Sequence, residues 1–94
     1  MNIYRDVLNC RCEEEFPFVA EEHDRQVEKW GYQNHSLFEW MTYLTEEVGE
    51  SAQAISEYEY REGTAEDAIK ELVQVAALAT RMMAIMRQNR KEQG

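Results

Sequence analysis

The chain has 94 residues, of which 19 are acidic and 10 are basic, so its formal net charge is −9. That charge argues against a nucleic-acid polymer as partner, because such binding depends on Lys and Arg side chains meeting phosphates, and no basic amphipathic face is present for a membrane surface. A chain of this length makes one small domain, over residues 1–94, that buries only about 60–65% of its unfolded surface.

Residues 1–15 contain no apolar run long enough for a signal peptide, and no segment of the chain is apolar enough to span a bilayer. We therefore expect a cytoplasmic protein in which these residues form an N-terminal arm. Cys10 and Cys12 are too close for a stable structural disulfide, and two further zinc ligands of suitable spacing are missing. His23 and His35 complete a Cys2His2 set only on paper, and reduced thiols near a loose N-terminus are the preferred interpretation.

Three main helices are predicted, and the first runs from Phe18 to Trp30. Its apolar residues recur at helical spacing, and Gly31 ends it. A polar connector follows over residues 31–35.

The second helix is predicted from Leu37 to about Tyr60. Ser36 is a suitable N-cap, and Glu39 three residues later completes a capping box. The apolar stripe of this helix consists of Leu37, Trp40, Met41, Leu44, Val48, Ala52 and Ile55.

The third helix is predicted from a cap at Thr64 to about Arg90, after a turn at residues 61–63. Between residues 72 and 86 all but three side chains are apolar. A helix that is apolar nearly all round must be covered on more than one side, and two partner helices from so short a chain do not easily achieve this. We therefore expect an all-α fold in which a bundle of three helices completes a four-helix-type core by homo-oligomerisation, as a dimer or a tetramer.

Acidic residues cluster on the second and third helices. Glu46, Glu47 and Glu50 lie on neighbouring faces within two turns, and like charges at such spacing destabilise a helix by about 0.2–0.5 kcal/mol per pair. No basic residue within the second helix relieves them. Glu71 and Gln74 are three apart on the third helix. Because a short turn makes the two helices antiparallel, the two sets can face one another across an oxygen-lined pocket.

Oxygen ligands of this kind suit Mg²⁺, which prefers octahedral geometry and retains several waters, with Mn²⁺ as a substitute. Carboxylates on facing helices are an established way to hold metals in bundles, and such a metal can bridge a polyphosphate and lower the pKa of an attacking water. The alternative is a solvated acidic face, which is the commoner origin of acidic clusters. The position of Glu71 beside the apolar run, and of Gln74 within it, weighs against that alternative.

The acidic motif has two parts, Glu46-Glu47-Val48-Gly49-Glu50 and, after twenty residues, Glu71-Leu72-Val73-Gln74. It resembles the MazG-like family of nucleoside triphosphate pyrophosphohydrolases, whose all-α members share Glu-Glu-x-x-Glu, a spacer, and Glu-x-x-Asp. The preceding stretch is similar to that of short, single-domain members often found in phages and mobile elements. That stretch contains Lys29-Trp30-Gly31, Gln33-Asn34-His35 and Trp40.

The resemblance covers roughly residues 21–86 and implies a four-helix-type core made from paired subunits. It also implies magnesium-dependent cleavage of a nucleoside triphosphate between its α- and β-phosphates, as house-cleaning of non-canonical or surplus nucleotides. By position, Glu47, Glu50 and Glu71 would be metal ligands. Glu46 would orient or deprotonate the attacking water, so the catalytic candidates are Glu46 and Glu47.

Gln74 stands where the family has an aspartate. Its carbonyl oxygen can coordinate magnesium, less strongly than a carboxylate, but it cannot act as a base. Three interpretations follow: the site keeps fewer metals, Asp67 one turn before Glu71 helps, or hydrolysis is lost and only binding remains.

The candidate substrate-binding residues are Trp30, Gln33, Asn34, His35 and Arg81. Trp30, Tyr32 and Trp40 are candidates to stack on the base, and the connector residues would bond its edge. Arg81, Lys70 or Arg61 would meet outer phosphates, and of these only Arg81 shares the face of Glu71 and Gln74. Each has a structural alternative: a core position for a tryptophan, favoured for Trp40; an ion pair with a glutamate for Arg81; and loop hydrogen bonding for His35.

Three functions remain open. The four glutamates favour a magnesium-dependent pyrophosphohydrolase. The glutamine at position 74 favours a catalytically weak or inactive nucleotide-binding or sensor module. The apolar third helix favours a helical assembly protein, whose stability neither magnesium nor nucleotides would change.

Overall fold

The computed structural model describes residues 3–93 and shows four helices, which are α1 (Ile3–Asn9), α2 (Phe16–Trp30), α3 (Leu37–Tyr60) and α4 (Ala65–Gln93). No strand occurs in this part of the chain, which confirms the all-α class. Within the same residues, no helix combines the length and the apolar character that a membrane crossing requires.

The short helix α1 is not predicted from the sequence, which indicates only an arm in this region. In the described part of the chain it packs against none of the other three helices. The backbone after it turns through Arg11 and Cys12, both with positive φ, at 59° and 57°. Cys10 and Cys12 are free and exposed. The three helices that form the bundle are therefore the three that the sequence predicts.

Helix α2 begins two residues earlier than predicted, because Pro17 falls in its first turn. The fixed φ of proline suits that turn, and its missing N–H needs no partner there. At the other end Gly31 adopts a φ of 71° and its N–H donates to the carbonyl oxygen of Val27 at 2.7 Å. The predicted end of this helix at Trp30 is confirmed.

The starts of α3 and α4 carry the predicted caps. The Ser36 side chain accepts from the Glu39 N–H at 3.1 Å, and the Glu39 carboxylate accepts from the Ser36 N–H at 2.9 Å. The Thr64 hydroxyl accepts from the Asp67 N–H at 3.1 Å. Each cap satisfies backbone donors that the first helical turn leaves without partners. Both helix starts are thus stabilised by hydrogen bonds between residues three positions apart.

Helix α4 is the centre of the bundle, because both α3 and α2 pack against it. The fully buried apolar residues among those described are Trp40, Ala68, Ala77 and Leu78. The radius of gyration is 15.6 Å, larger than the value of about 12 Å expected for a compact domain of this length. The bundle is therefore elongated and has a thin core.

Apolar stripes remain exposed on the two long helices. On α3, Met41, Val48 and Ile55 belong to the stripe that the sequence predicts, yet 38–49% of their surface is exposed. On α4 the exposed stripe contains Ile69, Leu72, Met83 and Met86. The stripe on α3 is open because α2 packs against α4 instead of against it.

The turn between α3 and α4 depends on a glycine. The N–H groups of Arg61 and Gly63 both donate to the carbonyl oxygen of Glu57, at 2.9 and 3.1 Å. A Cβ added at Gly63 would lie 2.7–2.9 Å from the Glu57 side chain and the backbone of residues 57 and 58. Gly49, in the middle of α3, has no such neighbour within 4 Å.

We therefore expect Gly63→Ala and Gly49→Ala to have opposite effects in chemical denaturation. Gly63→Ala should lower the free energy of unfolding by about 1–3 kcal/mol, because backbone atoms must move to admit the methyl group. Gly49→Ala should raise it by about 0.5–1 kcal/mol, because alanine loses less backbone entropy in a helix. Loss of stability in Gly49→Ala would contradict the open surroundings of that residue.

Candidate functional site

Three carboxylates converge where α3 and α4 pack together. Glu47 and Glu50 lie one turn apart on α3, and Glu71 lies on α4. One oxygen from each carboxylate lies within 4.8 Å of the others. We call these three residues the carboxylate cluster. The antiparallel hairpin thus brings together the two parts of the acidic motif.

Within the carboxylate cluster the negative charge is poorly compensated. Glu47 Oε2 and Glu71 Oε2 are buried and have no hydrogen-bond partner. In the described residues no lysine, arginine or histidine forms an ion pair with any of the three. Burial, followed by the charges of Glu50 and Glu71, raises the pKa of Glu47 to about 7. The cluster therefore has unmet affinity for positive charge.

A divalent cation fits this arrangement. The donors are all carboxylate oxygens, the ligands that Mg²⁺ prefers, and two of them are buried without partners. Oxygens around magnesium lie at most about 4.2 Å apart, since each is bound at about 2.1 Å. The oxygens of the cluster, within 4.8 Å of one another, are close enough to approach one ion from three sides, and water would occupy the remaining positions.

The other residues of the acidic motif lie close to the cluster. Glu46 and Gln74 line a cavity that Glu47 also borders. Gln74 is half-buried. Asp67, the suggested assistant, lies on the other side, in an acidic groove of about 570 Å³ with Glu50 and Glu71. The carboxylate cluster therefore separates the cavity from the acidic groove.

The cavity lies between α2, α3 and α4 and has a volume of about 610 Å³, within the usual range of about 300–1,000 Å³ for small-molecule sites. Its walls combine aromatic, amide and charged side chains. The lining residues are Arg25, Gln26, Lys29, Trp30, Gln33, Trp40, Tyr43, Glu46, Glu47, Lys70, Gln74, Leu78 and Arg81.

Four basic side chains line the cavity of this acidic protein. Arg25 forms an ion pair with Glu22 at 2.7 Å. Lys29, Lys70 and Arg81 form no ion pair with any residue in the described part of the chain. Three cations without an ion-pair partner among the described residues thus line a cavity that the carboxylate cluster borders through Glu47. An anionic ligand that carries a divalent cation would offset both charges.

The two tryptophans have different surroundings. Trp40 is buried, with 3% of its surface exposed, which confirms the core position favoured for it. Trp30 is half exposed at the cavity, and the Lys29 ammonium lies 4.8 Å from the centre of its ring. Trp30 is therefore partly accessible from the cavity, with Lys29 over its ring. Tyr32 is almost fully exposed and is not among the residues that line the cavity.

The polar connector contributes one residue to the cavity, which is Gln33. Asn34 does not line it in the described structure, and neither does His35. The His35 ring packs edge-on against Trp40 and Tyr43, at centroid distances of 5.0 and 5.1 Å. His35 Nδ1 lies 3.6 Å from the Glu39 carboxylate. These contacts are those of a residue that orders the connector.

Arg81 does not form the ion pair with a glutamate that the sequence leaves open. It donates to His23 Nδ1 and Gln26 Oε1, and its guanidinium lies 5.5 Å from the centre of the Trp40 ring. Sequence analysis missed Arg25, Gln26 and Tyr43 as lining residues. The signal for the first two was the i,i+4 spacing of Arg25 with Lys29 and of Gln26 with Trp30, which places all four near one face of α2.

Comparisons with protein-family models, with curated proteins and with solved structures found no match to this chain.

The raised pKa of Glu47 predicts a pH effect on stability in the absence of metal. Between pH 4.5 and about 7 the folded protein binds a proton at Glu47 that the unfolded chain has released. The free energy of unfolding should therefore fall as the pH rises through this range and stay lowered above it. Glu47→Gln should flatten this dependence and be more stable than the wild type at pH 8.

Denaturation at pH 5 and pH 8, with chelator present, measures the effect. Glu59→Gln is the matched control, because Glu59 is an exposed glutamate on the same helix. Equal pH dependence in the wild type and in Glu47→Gln would show that Glu47 ionises normally.

Proposed function

We propose that this protein is a magnesium-dependent nucleoside triphosphate pyrophosphohydrolase, which converts a nucleoside triphosphate and water to the monophosphate and pyrophosphate. The observation that carries the proposal is the position of the carboxylate cluster at the edge of a cation-lined cavity of nucleotide size. The resemblance of the acidic motif to the MazG-like family supports the same reaction and a house-cleaning role.

Each part of the site has a role in this proposal. Glu47, Glu50 and Glu71 would hold the magnesium, with the carbonyl oxygen of Gln74 as a further ligand. The bound metal would neutralise phosphate charge and lower the pKa of a coordinated water. Glu46 orients the attacking water and accepts its proton. The water oxygen bonds to the α-phosphorus, the bond to the oxygen that bridges to the β-phosphorus breaks, and pyrophosphate leaves.

The cavity walls position the nucleotide. Trp30 offers its exposed face to the base, and Gln33 lies where its amide can bond the base edge. Lys70 and Arg81 meet the phosphates, which is consistent with their lack of ion-pair partners. Because binding in the correct geometry replaces a bimolecular encounter, this positioning contributes to the rate as well as to affinity.

A pyrophosphate-release assay on a panel of canonical and modified nucleoside triphosphates tests the proposal. We expect release with Mg²⁺ or Mn²⁺ and none with chelator. Glu47→Ala and Glu71→Ala should lower the rate by at least about 100-fold, since even outer-shell partners of metal ligands typically contribute 10–100-fold. Glu59→Ala should leave the rate unchanged. Full activity of both cluster variants would refute the assigned site.

Binding without turnover is the second candidate, and Gln74 at the cavity wall favours it. The same assay separates the two functions when Gln74→Asp is included. In a hydrolase weakened by the neutral amide, this substitution should strengthen metal binding and raise the rate. A wild type that binds nucleotide and forms no product, together with an inert Gln74→Asp, would establish the sensor function.

We also propose that a second copy of the chain covers the exposed apolar stripes. Four stripe residues on α4 and four on α3, Leu37 included, are 38–63% exposed, and the core has only four buried apolar side chains among the described residues. Isologous packing of two such surfaces would give a four-helix-type core. Burial of the stripes would supply the hydrophobic stabilisation that the thin core lacks.

Light scattering coupled to gel filtration should therefore give two or four times the chain mass of 11.1 kDa. Met83→Lys places a charge in the α4 stripe and should shift the protein toward the monomer, with a lower melting temperature. Glu28→Lys, on the exposed surface of α2, serves as the control for the added charge. A wild type that stays monomeric at high concentration would contradict the assembly.

A further inference from the structure

Arg81 is a partly buried cation whose recorded partners are all neutral. Its Nε donates to His23 Nδ1 at 3.3 Å, and its Nη2 donates to Gln26 Oε1 at 2.9 Å. The ring of Trp40 covers one side of the guanidinium. In the described residues no carboxylate pairs with it, and no hydrogen bond is recorded for Nη1. Such a cation retains both charge and N–H donors for a ligand.

The Gln26 side chain is the most constrained of these partners. It is buried, with only 6% of its surface exposed, although it is polar. Its Nε2 donates to Glu22 Oε2 at 2.7 Å, so its Oε1 is left to accept from Arg81. Glu22 is in turn held by two hydrogen bonds from Arg25, at 2.7 and 2.8 Å. This polar chain fixes which end of the Gln26 amide faces Arg81.

The order of donors and acceptors in this chain has a consequence for the charge of the site. Glu22 forms its ion pair with Arg25, and the neutral amide of Gln26 stands between that pair and Arg81, so the charge of Glu22 acts on Arg81 only at a distance. Arg81 is therefore oriented without being neutralised. A glutamate at position 26 would keep an acceptor for Arg81 but would cancel its charge, and it would lose the N–H that now donates to Glu22 Oε2.

We propose that Arg81 is a binding site for a phosphate-type oxyanion that does not require a metal, and that Gln26 is the positioning residue that holds its guanidinium in place. This proposal rests on the function proposed above, because that function identifies the oxyanion as a phosphate group of the nucleotide. The planar fork of a guanidinium matches two oxygens of a phosphate at once. The subsite therefore recognises phosphates separately from the carboxylate cluster.

Titration of metal-free protein with inorganic pyrophosphate, followed by calorimetry, tests the proposal. Saturable binding is expected after dialysis against chelator. Arg81→Met should abolish it, and Arg81→Lys should weaken it by about ten- to hundredfold, because an ammonium lacks the fork. Arg87→Met is the matched control: it removes an exposed positive charge from the same helix outside the cavity, and it should bind pyrophosphate like the wild type.

Two substitutions at position 26 separate positioning from packing. Gln26→Met keeps the length of the side chain without its amide and should weaken pyrophosphate binding by about tenfold. Gln26→Glu keeps the length and the acceptor toward Arg81, neutralises Arg81 and loses the donor to Glu22, so it should abolish binding while circular dichroism still shows a folded protein. If Gln26→Met does not fold, Gln26→Glu and Arg81→Lys still decide the question.

Wild-type affinity of Gln26→Glu for pyrophosphate would overturn the positioning role, and wild-type affinity of Arg81→Lys would overturn recognition by the guanidinium fork. Absence of pyrophosphate binding in the metal-free wild type would overturn the subsite. That second result, with magnesium-dependent turnover intact, would leave the pyrophosphohydrolase standing. Conversely, metal-free binding without any turnover on the nucleotide panel would support the subsite and count against the hydrolase.

Discussion

Like charges held together in a folded protein require a strong structural constraint, and here the constraint is the tight α3–α4 hairpin. Gly63 allows α4 to begin against the end of α3, and the helices are then antiparallel. Two small residues, Ser51 and Ala68, are buried one turn from Glu47 and Glu71 respectively. Small side chains at a helix contact permit close approach. The carboxylates are thereby held close together and repel one another. This repulsion helps raise the pKa of Glu47 to about 7, and a bound cation would relieve it.

The wall of the cavity beside this cluster is more basic than acidic, although the protein as a whole is acidic. The chain carries a net charge of −9, yet the cavity wall contains twice as many basic as acidic side chains, and Arg25 and Lys29 reach it from α2. The carboxylates of the cavity wall lie on α3, and its basic side chains come from α2 and α4. A ligand that suits both must be anionic and must carry a cation, and a nucleotide bound to magnesium meets both conditions. The overall acidity of the protein is thus compatible with an anionic substrate, because local charge governs binding at close range.

Sequence patterns predicted those features that depend on neighbours along the chain. The caps at Ser36 and Thr64 and the i,i+3 spacing of Glu47 and Glu50 are local, and the short turn then determines that α4 faces α3. The helix α1 was missed because seven residues are too few for a helical pattern to be recognised, and short isolated helices are marginal. The contacts of Arg81 with His23 and Gln26 were missed for another reason: they span 55–58 residues and depend on which helix α2 packs against. The exposed stripe on α3 has the same origin.

The residues that carry the proposed chemistry and the apolar stripes lie on different faces of the same two helices. In the described part of the chain, the stripes on α3 and α4 stay exposed. In the proposed assembly, a second copy would pack against the exposed stripes of α3 and α4 and so keep Glu47 close to Glu71. A cation bound by the same residues would hold the two helices together from inside. Both ligands, the metal and the second chain, would therefore favour the same closed hairpin, and each would strengthen the binding of the other. This coupling would stabilise a protein with so thin a core, because metal binding and assembly would each add to the stability of the folded hairpin.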